Sequence, residues 1–245
     1  MKRISAFIYA ILSYFLFFGT FLYMVFFLGD MLVPKTINSG EAGSVASAVL
    51  INLGLIALFG VQHTVMARKS FKDRWTRYIS KPIERSTYVL LSSAALLILI
   101  RFWQPLPGII WDIEAGWGSM LLEWGFWLGW LIVFLSTWMI DHFSLFGLKQ
   151  TWSYMKNREP ENPGFMEPGL YKYVRHPLML GFLIAFWSTP HMTTGHLIFS
   201  GGMTLYILIG VYFEEKAMMK RFGEEYGDYR KRVPKFFPLL RKSET

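Results

Sequence analysis

The chain has 245 residues, 53% hydrophobic and 18% aromatic, with no cysteine and a formal net charge of +8. So apolar a composition excludes an ordinary soluble domain. The missing thiols exclude a disulfide framework, a cysteine metal site and a cysteine nucleophile.

The apolar residues fall in runs. Residues 6–28 carry no charge, and a bilayer crossing needs about 20 mostly apolar residues. The preceding "MKRIS" resembles the start of a signal peptide, but the run is too long and no small-residue cleavage site follows. It is predicted to be the first span. Residues 45–67 are again uncharged, 87–100 continue to Trp103 with only Arg101 at the end, and 117–140 carry only Glu123. Residues 178–190 make a short fifth run, tilted, broken or part of a tight hairpin, and 197–213 make the sixth. A soluble core cannot hide so many helices that are apolar all round. The expected fold is all-α: one integral membrane domain over 1–245, a multi-pass transmembrane helical bundle of five or six spans, six preferred.

Charge placement supports six. With a cytoplasmic N-terminus the inner pieces are 1–5, 68–86, 141–177 and the tail after 213. These hold 23 of the 25 Lys and Arg residues, leaving Lys35 and Arg101 outside. Five spans with ends on opposite sides reproduce this asymmetry less well. The basic surplus therefore reads as topology and contact with anionic lipid, not as nucleic-acid binding. The expected location is a bacterial cytoplasmic membrane with both termini inside. Trp103, Trp111 and Trp117 are expected in an outer aromatic belt, and the outer loops read as simple connectors.

The inner segments are richer. The stretch 149–177 contains four prolines, so it is not one helix. The tail is expected to continue the last span as an amphipathic helix along the membrane face. It places Met218, Phe222, Tyr226 and Tyr229 on one stripe and ends at Pro234. In "YKYVRHPLMLG", residues 171–181, Pro177 suits the first turn of a helix and His176 the turn before it. That helix start, with Arg175, favours a carboxylate or phosphate; the bland reading is an anchor to lipid phosphates. Glu214 and Glu215 close the last run, where the helix dipole disfavours them. They are expected to have a cationic partner, either Arg175 or Lys216 or a cationic ligand.

Tyr173-x-Arg175-His176-Pro177, the apolar hairpin, Glu214-Glu215 and "FGEEYGDYRKRVPKFFP" together resemble the membrane methyltransferases of the isoprenylcysteine carboxyl methyltransferase type. The likeness covers residues 171–238. The front segments "VQHTVMARKSFKDRW", "IERSTYVLLSS" and "DHFSLFGLKQ" are similar to a narrower bacterial branch that methylates methanethiol, and NnrU-type membrane proteins resemble the chain less closely. The resemblance implies S-adenosylmethionine as cofactor. It implies binding by Gln150, Tyr173, Val174, Arg175, His176, Leu180, Glu214, Glu215, Tyr226 and Tyr229. It implies a small volatile thiol as substrate, drawn from the bilayer, and dimethyl sulfide as product.

A thiol attacks far better as thiolate, so a base is expected near the reacting methyl group. His142 is the first candidate, with Asp141 to orient it or act itself, and His63 is the second. Arg85, Ser86 and Tyr88 are candidate lining residues. No metal site is expected. Alternatives within the chemistry are a lipid, a prenyl group or a larger thiol as acceptor. A different class is a haem protein using His63, His142 and His176, which leaves Arg175, the Glu pair and the tyrosines without a role. A transporter would place charges at the midplane rather than at span ends.

Overall fold

The computed structural model describes residues 2–159 and 164–237. Among the described residues ten α-helices run in chain order: α1 Arg3–Leu28, α2 Val45–Ala67, α3 Lys69–Trp75, α4 Glu84–Phe102, α5 Trp117–Ile140, α6 His142–Leu145, α7 Leu148–Met155, α8 Pro177–Trp187, α9 Thr194–Phe222 and α10 Glu224–Arg232. Two short strands, β1 Ile109–Asp112 and β2 His191–Thr193, pair antiparallel with Asp112 opposite His191. Among the described residues five helical segments are long and apolar enough to cross a membrane: α1, α2, Lys81–Phe102, α5 and α9. Lipid offers backbone amides no partner, so runs of this length satisfy their hydrogen bonds internally as helices. The remaining apolar helix, α8, has 11 residues, about 16 Å of rise, roughly half a hydrocarbon core.

The chain forms two compact units. Unit 1 comprises residues 1–113, 142–161 and 191–202; unit 2 comprises 114–141, 162–190 and 203–245. In unit 1, α4 packs against α1 and α2, and α7 packs against α1. One end of α4 is closed by Asn52, whose side chain accepts from the Gln104 amide (2.9 Å) and donates to the Gln104 carbonyl (2.8 Å). Trp103 beside it is only 1% exposed, edge-on to Phe27 and Phe199. This corrects the expected belt position. A large aromatic at a span's end suits core and interface equally, and here the core takes it, whereas Trp117 is exposed. The loops expected on the outer side are likewise more than connectors, since β1 and β2 join two of them.

At the other end of α4, Met66, Tyr88, Val89 and Phe146 form a buried cluster onto which Tyr14, Phe17, Phe71 and Leu145 pack. Gly147, at φ +90°, has α4 against it: a Cβ there would come within 2.7 Å of the Ser86 amide nitrogen.

In unit 2, α5 and α8 approach backbone to backbone. A Cβ on Gly129 would lie 2.6 Å from the Ala185 amide, and one on Gly181 would lie 2.7 Å from the Gly129 carbonyl. Small residues permit such contact where apolar lipid supplies no hydrophobic drive between helices. The tail departs from the expected continuous helix. It breaks at Gly223, φ +55°, a left-handed conformation that glycine adopts without strain. The stripe survives the break but turns inward: Tyr226, Tyr229 and Val233 are buried, with Phe165, Met218, Met219 and Phe222 packed on them.

Candidate active site

In unit 2, Pro177 opens α8 with His176 at its N-cap, and Glu214 and Glu215 lie near the end of α9. The two places meet. Arg175 Nη2 lies 2.8 Å from Glu215 Oε1 and Arg175 Nε donates to the same oxygen at 2.9 Å; both side chains are under 10% exposed. His176 Nε2 lies 3.3 Å from that oxygen, and a carboxylate only accepts, so Nε2 carries the proton. Lys235 Nζ at 3.6 Å and Arg230 at 3.9 Å face Glu215 Oε2. Glu215 is thus the hub of the corner, with Arg175 as its expected cationic partner.

Glu214 differs. Its side chain is 51% exposed, and His176 Nδ1 lies 3.7 Å from its Oε2. Burial pushes the His176 imidazole below its ordinary range, against the pull of Glu215 in the other direction.

The chain after α10 forms a strap over this corner. Pro234 and Lys235 carbonyls accept from the amides of Arg175 (2.9 Å) and His176 (3.3 Å), while Arg175 Nη1 donates to the carbonyls of Val233 and Arg230. The two amides just before α8 are therefore taken by protein. An open depression of about 280 Å³ adjoins, lined by Arg175, Met219, Gly227, Arg230 and Lys231.

Behind the corner, Tyr229 donates to the Tyr171 carbonyl (2.7 Å), and Phe165 meets Tyr226 and Tyr229 edge-on. Burial raises the Tyr226 phenol to about 12 and lifts Tyr171 and Tyr229 as well, so all three stay neutral. Of the other expected binders, Val174 is buried, Tyr173 is exposed and Leu180 lies in the first turn of α8. Pro238, the last residue of the expected cofactor region, lies outside the described residues. Arg230, Val233, Lys235 and Phe165 were not anticipated. The sequence signal for Arg230, Val233 and Lys235, the basic run after Tyr229, reads equally well as lipid contact, and Phe165 carries no signal of its own.

Three expected residues belong to unit 1. His63 accepts or donates at both ring nitrogens, to Tyr88 Oη (2.6 Å) and Ser92 Oγ (3.2 Å). His142 is buried and its Nε2 lies 2.9 Å from Tyr14 Oη. Gln150 donates to the Ser144 carbonyl at 2.9 Å. Asp141, the last residue of unit 2 before this segment, caps α5 at φ 121°, ψ 82°. That conformation is strained for a residue with a side chain.

Five crossing-length helices and a buried arginine–glutamate corner capped by a strap define a multi-pass membrane protein with a polar site at its helix ends. Residues 50–238 match the family model described as NnrU protein. Among curated proteins, the chain is 49% identical to "Methanethiol S-methyltransferase 1" of Bradyrhizobium diazoefficiens, over 98% of this chain and 84% of that one. It is 47% identical to "Methanethiol S-methyltransferase" of Mycobacterium tuberculosis, over 97% and 98%. It is 48% identical to the protein of that name from Pseudomonas sp., over 96% and 91%. No solved structure matches the chain. The chain belongs to the NnrU family, together with these methanethiol S-methyltransferases.

Proposed function

We propose that this protein is an integral membrane enzyme that methylates methanethiol to dimethyl sulfide, with S-adenosylmethionine as methyl donor. The carrying observation is the near full-length identity of 43–49% to six proteins named for that activity. A lipid, prenyl or larger acceptor has no comparable support, and neither does haem.

The donor set in unit 2 fits the cofactor's charges. A sulfonium and an ammonium suit the half-exposed carboxylate of Glu214. A carboxylate suits the guanidinium and ammonium groups of Arg230 and Lys231 around the depression. Glu215 is committed to Arg175 and His176 and holds the corner together. Tyr226 and Tyr229 brace it from behind. Tyr173, Val174, Leu180 and Gln150 have no contact that assigns them a task.

Methyl transfer is an in-line displacement, so the protein's work is to align the partners, exclude water and take the thiol's proton. His142 and His63 are the proton acceptors considered, with Asp141 as orienting group. A small apolar thiol partitions into lipid, which suits an enzyme with this many apolar helices. The charge asymmetry favours a cytoplasmic membrane with both ends inside, which needs an even number of crossings, the short α8 segment supplying the sixth.

The test is headspace analysis of membranes carrying the protein, supplied with methanethiol and S-adenosylmethionine. Dimethyl sulfide is expected above the level of membranes lacking it. Equal levels would overturn the reading.

A further inference from the structure

Lys35 and Arg101, the two cations outside the inner pieces of the sequence, both belong to unit 1 and lie near one another there. Lys35 sits in the connection from α1 to α2, and Arg101 in the last turn of α4. The connection is pinned in place. The amide of Lys35 donates to Tyr23 Oη (3.2 Å), that of Thr36 to Ser39 Oγ (2.8 Å) and that of Ile37 to the Phe27 carbonyl (3.0 Å). It also leans on the chain just after α4: a Cβ on Gly40 would lie 3.4 Å from Lys35 Nζ and 3.7 Å from Pro105 Cγ.

Neither cation has an acid. Lys35 Nζ donates to the Ser39 carbonyl at 2.7 Å, and the Arg101 guanidinium stands 5.6 Å from the Phe102 ring centroid. Among the described residues no carboxylate lies within 4 Å of either. Asp30, in the same connection, accepts from Asn38 Nδ2 at 3.0 Å instead. The dipole of α4 favours a cation at its C-terminal end, which accounts for Arg101. It does not account for Lys35, whose ammonium is pushed below the usual lysine range by burial and by the charge of Arg101. Two like charges placed together, one of them partly buried, repel unless an anion joins them. Apolar side chains flank the pair in sequence. Leu32 is 84% exposed and held at φ +60°, a strained conformation for a residue with a side chain, and Phe102 is 53% exposed.

We propose that Lys35 and Arg101 together bind the phosphate of an anionic phospholipid at this end of α4. Lys35 keeps two ammonium N–H groups beyond the one spent on Ser39, and Arg101 keeps its whole fork, so the non-ester oxygens of a phosphodiester can be met from two sides. Exposed leucine and phenylalanine beside the cations suit a ligand with acyl chains better than a free anion. A zwitterionic headgroup brings its own ammonium to a pair of cations and is disfavoured. The site lies wholly within unit 1 and does not depend on the methyl-transfer reading.

The chain has no cysteine, so Gly43→Cys can carry a single fluorophore three residues beyond Gly40, at a position where a Cβ meets no atom within 4 Å. The labelled full-length protein in detergent is titrated with short-chain phosphatidylglycerol, with phosphatidylcholine of the same chain length and with inorganic phosphate. A saturable response to phosphatidylglycerol is expected, with phosphatidylcholine binding more weakly. Arg101→Gln and Lys35→Gln should each weaken the phosphatidylglycerol response by about fivefold, and Arg101→Lys should restore part of it. Lys35→Gln also loses the bond to Ser39, so the exposed Arg101→Gln is the deciding variant. No saturable response in the parent protein, equal responses to the two lipids, or an unchanged response in Arg101→Gln would overturn the inference. Inorganic phosphate that saturates the response as well as phosphatidylglycerol does would overturn the lipid assignment in favour of a free-anion site.

Discussion

Unit 2 builds its polar cluster from formal charges: Arg175, Lys235 and Arg230 around Glu215, with His176 against the same oxygen. Unit 1 builds its own from imidazole–phenol pairs, His63 with Tyr88 and His142 with Tyr14, set among Met66, Phe17 and Phe146. The two solutions differ in cost. Removing one partner of a buried ion pair leaves a bare charge, whereas removing one partner of an imidazole–phenol pair leaves an unmet hydrogen bond at most.

The comparison breaks most visibly where a charge is removed. Arg175→Ala leaves Glu215 buried without its closest partner, and a loss of about 3–5 kcal/mol is expected, read as a fall in thermal midpoint in detergent. His63→Gln, which leaves no bare charge, should lower the midpoint far less. If the two fall equally, the contrast between the units fails.

Steric closeness comes next. Gly181→Val drives a Cβ into the Gly129 carbonyl and the Val133 amide, and about 1–3 kcal/mol is expected for such overpacking. The yield of monodisperse protein measures it. Gly54→Val is the control, since no atom lies within 4 Å of a Cβ there.

A smaller effect belongs to Tyr229→Phe, which removes the bond to the Tyr171 carbonyl. About 0.5–1.5 kcal/mol is expected, read as a small fall in thermal midpoint.

The smallest is a pH effect. His176 is held below its ordinary value of 6.5, so below about pH 6.5 the unfolded chain binds a proton that the folded chain does not. Stability is then lost as pH falls from 6.5 toward the folded value, and nothing is lost from this source above 6.5. The thermal midpoint should decline from pH 7 to pH 5.5, and the decline should shrink in His176→Gln.

Much of this architecture is written in local chemistry. Helices α1, α2 and α5 follow from uncharged or nearly uncharged runs of crossing length, which admit no other structure in lipid. The meeting of Arg175 with Glu215 was foreshadowed by two carboxylates placed against a helix dipole, an arrangement that needs a cation. Other features leave no such trace. Strands β1 and β2 have four and three residues, too few for alternation to register. The break at Gly223 hides inside a stripe whose spacing continues across it. The strap at 233–236 comes from a basic run indistinguishable by composition from a lipid-facing one. Tyr14, the partner of His142, sits unremarked in an apolar span 128 positions away in sequence.

The central claim is that the unit 2 corner holds S-adenosylmethionine through Glu214 while Glu215 serves the protein. Calorimetric titration of the purified protein with S-adenosylhomocysteine tests it most directly, with Glu214→Gln beside wild type. One site per chain is expected in wild type, with affinity at least tenfold weaker in the variant and thermal midpoints within a degree or two of each other without ligand. Equal affinities, or no binding by wild type, would contradict it.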